Sequence, residues 1–407
     1  MSTPLPAGSP HHLFAVPDTA PQPFALPAAG AGAFAPPGQA AGPYQQLARA
    51  RLMPGTAPAR PVAATYASRF GRWDDLAAVR RKPRRHLSEA AGLYFPPELY
   101  PVVAHPLVAA RGTAAVRTLL LHRLYDYLDF TTELENLAVI PVASKIARGT
   151  SGLLLPRQMQ ADAFKIVTDE AWHAQFSYDF VQELEHVTQV PRAAAGLPVF
   201  IRRLDEIAAL LPCEVTGLEA LVFAIVSETL ISGILSDLPR DERLPQPVRD
   251  LIRDHAEDEG RHHVYFRSVL RHLWPALSPR ERRAVGPHIP AIIEAFLTPD
   301  HTQTALRLAA AGLSDDEIVQ VVTESWPAHG LRAAIAQSAA PAVRYFTEVG
   351  ALDDSRTRHA FLQAGLLTPT TPDTAPDAPA GPDASSTGGL LHLPGARETN
   401  APRSPRT

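Results

Sequence analysis

The order Asp-Glu-x-x-His occurs twice in this chain, as Asp169-Glu170-Ala171-Trp172-His173 and as Asp258-Glu259-Gly260-Arg261-His262. A glutamate stands upstream of each copy: Glu135 precedes Glu170 by 35 residues, and Glu228 precedes Glu259 by 31. About 15 residues up one helix, a short turn and about 15 down the next return a chain to the same level. Each half therefore reads as a helical hairpin that sets one Glu against one Glu-x-x-His pair. Two such hairpins make a four-helix bundle whose core holds four carboxylates and two imidazoles, the donor set of a carboxylate-bridged pair of iron or manganese ions.

A third imidazole joins the second copy. Read at about 100° per residue, His255, Glu259 and His262 stand at i, i+4 and i+7 within one narrow stripe. Divalent transition metals take such mixtures of neutral nitrogen and anionic oxygen. Glu228 points the same way, because it interrupts an apolar run, Leu221-Val222-Phe223-Ala224-Ile225-Val226, where an unpaired carboxylate costs several kcal/mol. A cation in the bundle core would pair it. The outward ring nitrogens of His173 and His262 need acceptors, and Asp169 and Asp258 are the candidates. Glu133 is the register alternative to Glu135. Glu183 and His186 repeat the Glu-x-x-His spacing but lie about 220° round the helix from the first pair, on a face expected to be solvated. His263 and Glu257 point away from the stripe. His255, Glu259 and His262 alone would make a mononuclear iron site, a reading that leaves Glu228 and the first hairpin without a role. No His-Glu-x-x-His occurs, which argues against a zinc protease.

The surroundings fit a helical enzyme. Residues 1–61 hold 13 prolines and one acid, Asp18, and residues 366–407 are again rich in Pro, Ser and Thr, so both are expected to be disordered extensions. The core, 62–365, reads as helical: a short helix around Arg72 to Arg81, then long helices from about Gly112 to Ala147, Pro156 to Val187, Gly217 to Leu238 and Pro247 to Leu273. Pro191 to Cys213 supplies a crossover with its own short helix. Ser278-Pro-Arg-Glu281 and Ser314-Asp-Asp-Glu317 read as capping boxes that start further helices. The single cysteine, Cys213, rules out an internal disulfide and suits a reducing cytoplasm. A net charge of −4 with interspersed signs gives no footprint for nucleic acid, and no secretion signal or membrane span is evident, so neither a nucleic acid nor a membrane is expected as partner.

At the residues named above the chain resembles the 4-aminobenzoate N-oxygenase family of ferritin-like diiron enzymes, over roughly residues 90–350. The distinguishing mark is the third histidine one turn before the last Glu-x-x-His, in His255-Ala-Glu-Asp-Glu259-Gly-Arg-His262. The resemblance implies an all-α, ferritin-like four-helix bundle with additional flanking helices, and two iron ions held by Glu135, Glu170, His173, Glu228, His255, Glu259 and His262. It further implies that the reduced pair takes dioxygen as a peroxo-bridged diferric species and oxidises an arylamine to a hydroxylamine, nitroso or nitro product in antibiotic biosynthesis. Electrons would come from an external reductase or ferredoxin-like carrier, and the assembly is left open between a monomer and a homodimer. Arg332 and Arg344 are candidates to hold a substrate carboxylate, and Tyr127, two turns before Glu135, to line the cavity. Hydroxylation or desaturation at carbon is the rival reaction. A non-enzymatic iron-binding protein is the rival class, disfavoured by His255 and by the helices expected after residue 275.

Overall fold

The computed structural model describes residues 66–89, 92–192, 197–213, 215–235 and 238–368. The expected extension 1–61 lies outside them, as do residues 369–407 of the expected tail. Among the described residues there are helices and turns and no strand, and none of the helices is long and apolar enough to cross a membrane.

Four long segments form the bundle. The first is α1 (Thr113–Leu134), which continues through one π turn (Glu135–Val139) into α2 (Ile140–Ala147). The second is α3 (Arg157–Thr188), which pairs with both α1 and α2. After the crossover helix α4 (Val199–Leu210) come α5 (Leu218–Ile234) and α6 (Gln246–Ala276), the second hairpin. Prolines set several starts: Pro156, Pro198 and Pro245 sit just before α3, α4 and α6, where a fixed φ is preorganised and a missing N–H costs nothing. Each long helix lies within about four residues of its expected bounds.

α5 is the central element. Leu221, Val222, Phe223, Ala224, Ile225 and Val226 are all buried, so this stretch has no solvent face, as a helix apolar all round requires. It packs on α6 and, on other sides, on α8 (Ile289–Leu297) and α11 (Ala328–Glu348). The short α7 (Pro279–Val285), with α9 (His301–Ala310), α10 (Asp315–Ser325) and α12 (Ser355–Gln363), completes the flanking layer. Both expected capping boxes are present, at Ser278 with Glu281 and at Ser314 with Glu317. The described residues continue past 365, and Leu366 is buried on the core. The fold is an all-α, ferritin-like bundle with flanking helices.

The short helix expected around Arg72 to Arg81 is instead two turns, Trp73–Leu76 and Ala78–Arg81, inside an extended strap over α3 and α6. Polar anchors fasten it. The Tyr66 hydroxyl donates to Asp162 at 2.7 Å, Lys165 donates to the Phe70 carbonyl at 3.0 Å, and Arg85 donates to Asp254 at 2.7 Å. Glu183 corrects the expectation of a solvated face. It accepts from the Leu87 N–H at 3.0 Å and from Arg84 at 2.9 Å and meets His86 at 2.9 Å, while His186 stays exposed.

Candidate metal centre

The two hairpins bring Glu135, Glu170, His173, Glu228, His255, Glu259 and His262 together in the bundle core, each no more than 2% exposed. Their donor atoms converge, within 4.8 Å of one another, as two groups: Glu135, His173 and His255, and Glu170, Glu228, Glu259 and His262. Glu259 joins them, with its Oε1 3.2 Å from His255 Nε2 and 3.4 Å from the Nδ1 of both His173 and His262. On the other side, Glu170 lies 2.7 Å from both Nδ1 atoms, through Oε2 to His173 and Oε1 to His262. Glu170 and Glu259 thus occupy the middle, where a bridging carboxylate would stand, with Glu135 and Glu228 at the flanks. Glu133 is only half-buried and outside the cluster, so Glu135 is the residue the register delivers.

The π turn begins at Glu135. One extra residue in that turn re-aims the side chains that follow, a distortion common at functional sites. The helix continues on both sides, so the offset is taken up locally.

Two of the three imidazoles are held from behind. His173 Nε2 donates to Asp258 at 3.1 Å and His262 Nε2 donates to Asp169 at 3.1 Å. The aspartates work crosswise: each braces the histidine of the other Glu-x-x-His pair and so ties α3 to α6. The strap then braces the aspartates. Asp169 accepts from the Trp73 indole N–H at 2.8 Å, and Asp258 accepts from the Ala78 N–H at 3.1 Å and from Arg261. Phe70 stacks on His262, with ring centroids 6.1 Å apart and 15° between the planes. With Nε2 committed outward, Nδ1 of both histidines faces the carboxylates.

The fit to metal ions rests on what the cluster leaves unmatched. Both oxygens of Glu135, Glu228 and Glu259, His255 Nε2 and His262 Nδ1 are buried without an aligned hydrogen bond. Buried polar atoms are ordinarily paired, and so many orphans on one small volume are what a polycation would satisfy. Without a cation the charges adjust. Burial, reinforced by Glu170 and Glu259, holds the Glu135 carboxyl well above the usual range; burial with Glu259, Glu170 and Glu135 does the same to Glu228. Burial opposes protonation of His173 and His262, but Glu170 leads the acids that outweigh it and raise both well above the usual imidazole range. Glu259 is held well below the usual range despite burial, chiefly by His262.

Three sequence expectations are refined. In the sequence stripe, His255 shares one helix face with His262. Its nearest imidazole is instead His173, with ring centroids 4.3 Å apart, because seven residues of helix put about 10 Å of axial rise between His255 and His262. The same separation tells against His255, Glu259 and His262 as a self-contained mononuclear site. Arg332 does not reach the cluster: it is exposed, its stem within 3.1 Å of where a Cβ on Gly365 would stand. Arg344 is also exposed, against the Tyr345 ring. Tyr127 is buried against Phe95, and its hydroxyl has no hydrogen-bond partner. Burial pushes that hydroxyl well up; Arg123 opposes the shift and Glu259 and Glu135 add to it, which places Tyr127 within the electrostatic reach of the cluster. His263 bonds the Tyr345 hydroxyl at 2.9 Å and Glu257 pairs with Lys82 on the surface, both away from the cluster as expected.

Comparison with known proteins gives two matches. The family model described as p-aminobenzoate N-oxygenase AurF matches residues 81–350, a span that holds all seven clustered residues and both aspartates. The curated 4-aminobenzoate N-oxygenase of Streptomyces thioluteus is 28% identical over 232 residues, 55% of this chain and 67% of that protein.

Proposed function

The chain belongs to the p-aminobenzoate N-oxygenase family, and from that premise we propose that it is a diiron enzyme that oxidises the nitrogen of an arylamine with dioxygen. The observation that carries the reading is the seven-residue buried cluster with its unmatched oxygens and nitrogens. Glu135, His173 and His255 would hold one ion and Glu228 and His262 the other, with Glu170 and Glu259 between them. Four carboxylates balance two divalent ions, so the loaded core carries no large net charge. When bound, the ions supply the reductive activation of dioxygen, with electrons from an external carrier.

The protein's own part is to fix, dry and neutralise. Asp169 and Asp258 accept from Nε2 of the two histidines, which fixes the ring orientation before any ion arrives and leaves the Nδ1 proton as the one an ion would displace. Phe70, Phe176 and the apolar length of α5 line the cluster and exclude water from it. Tyr127, with an unpartnered hydroxyl near Glu135, is a donor available to a polar group bound beside the cluster. The amine as substrate class is supported by the family and by the name of the Streptomyces relative. The test is direct: load the chain anaerobically with ferrous iron, add 4-aminobenzoate, admit oxygen, and follow products by mass. Gain of one oxygen atom on nitrogen is the expected first product. Ring or side-chain hydroxylation of amine-free analogues, with the amine untouched, would move the assignment to a carbon oxygenase.

A further inference from the structure

Electrons must cross protein to reach a cluster no more than 2% exposed. Two hydrogen-bonded chains lead outward from its histidines. One runs from His173 through Asp258 to Arg261, whose side chain is only 13% exposed and carries no aromatic ring. The other runs from His262 Nε2 to Asp169 Oδ2 at 3.1 Å, and from Asp169 Oδ1 to the Trp73 indole N–H at 2.8 Å. Trp73 is half-buried: its N–H edge faces inward and part of the ring reaches the surface. Phe70, three residues earlier on the strap, stacks on the same His262. The strap therefore places one aromatic ring on the imidazole and links a second, partly at the surface, to it through Asp169.

We propose that Trp73 is the electron entry point of this enzyme, with the route Trp73 to Asp169 to His262, and that its donor is a small one-electron carrier with an acidic face docking on the strap. The proposal rests on the diiron reading above. Two carriers each give one electron, two ferric ions become ferrous, and no bond to the protein forms or breaks. The Arg80 guanidinium lies 5.6 Å from the Trp73 ring centroid and disfavours a cation on the indole, so the ring acts as a bridge and does not hold a charge. The charge of the rim identifies the carrier. Arg69, Arg72, Arg80 and Arg81 are exposed around Trp73 against Asp74 and Asp75, a net-positive patch that would steer an acidic partner. Exposed Leu76 supplies an apolar centre. Trp73 itself precedes the family-matched residues 81–350, whereas Asp169 and His262 lie within them.

The experiment uses the full chain, loaded with iron and oxidised, mixed anaerobically with excess reduced plant-type [2Fe–2S] ferredoxin while the ferric absorption bleaches. Trp73→Phe keeps a ring and loses the N–H. It should retain the parental iron content and be reduced at least tenfold more slowly, whereas Trp326→Phe, in the flanking layer, should match the parent. A parental rate in Trp73→Phe overturns the proposal. So does a fall in midpoint potential that accompanies the slowing, which would assign Trp73 a positioning role on His262 alone. If Trp73→Phe does not load iron, Arg69→Glu with Arg81→Glu decides. The pair leaves the relay intact and should slow reduction by ferredoxin at low salt at least tenfold, an effect lost at high ionic strength; no change overturns the proposal. A parent chain that takes no iron refutes the diiron reading instead, a different outcome.

Discussion

Glu228→Met should make the metal-free chain more stable while destroying half of its metal site. In the metal-free state the carboxyl of Glu228 is fully buried, both oxygens lack partners, and burial with neighbouring acids keeps it protonated well above the usual carboxylate range. An unpaired buried polar group costs about 1–3 kcal/mol, and Met of similar length and volume removes that cost without a cavity. With unfolding entropy near 2.1 cal/mol/K per residue over the roughly 300 described residues, 2 kcal/mol moves Tm by about 3 °C. The sign with pH follows from the raised pKa. A folded-state carboxyl that titrates above its unfolded value contributes stability below the unfolded value and loses it as pH rises through the folded one. The gain from Glu228→Met should therefore widen above the ordinary glutamate range. Calorimetry of chelator-treated parent and variant checks the shift, and iron titration checks the loss. Ions at about a hundredfold over their Kd stabilise by about 2.7 kcal/mol, so iron should reverse the order. A metal-free Glu228→Met less stable than the parent by 1 kcal/mol or more would refute the reasoning, because it would mean that the carboxylate is satisfied without a cation.

Glu135→Ala should weaken iron binding at one position at least tenfold, and Glu133→Ala, outside the cluster, should leave iron titrations unchanged. His255→Ala should keep both irons through the six remaining residues but alter the visible spectrum of the oxidised site and lower amine oxidation; an unchanged spectrum and rate would remove His255 from the site. Iron loading should release up to four protons, one each from Glu135, Glu228, His173 and His262, whose pKa values are all raised without metal. Apparent affinity should therefore rise with pH as those protons leave. Calorimetry in buffers of different ionisation enthalpy counts them, and a pH-independent affinity would contradict the protonated cluster.

The bundle and its seven inward residues are legible in the sequence because helices carry a period. Spacing alone brings Glu135 opposite Glu170 and Glu228 opposite Glu259, and the apolar run around Glu228 is enough to mark that carboxylate as buried. What lacks a period leaves no such trace. The strap of residues 66–89 is extended and is fastened by single polar contacts from Tyr66, Trp73 and Arg85, which form no pattern along the chain. The π turn at Glu135 shifts a hydrogen-bond register without any special composition. The crossing of Asp169 to His262 and Asp258 to His173 depends on how two helices pack, and the neighbour of His255 depends on axial rise, which a projection discards. Arg332 has only the chemistry of its guanidinium in its favour, and its helix leaves it exposed.

The central claim is a dinuclear iron site, and anaerobic titration of the metal-free chain with ferrous iron tests it most directly. Bound iron should saturate at two per chain, and the oxidised protein should give the Mössbauer signature of two exchange-coupled ferric ions. Saturation at one, with Glu135→Ala identical to the parent, would contradict the account.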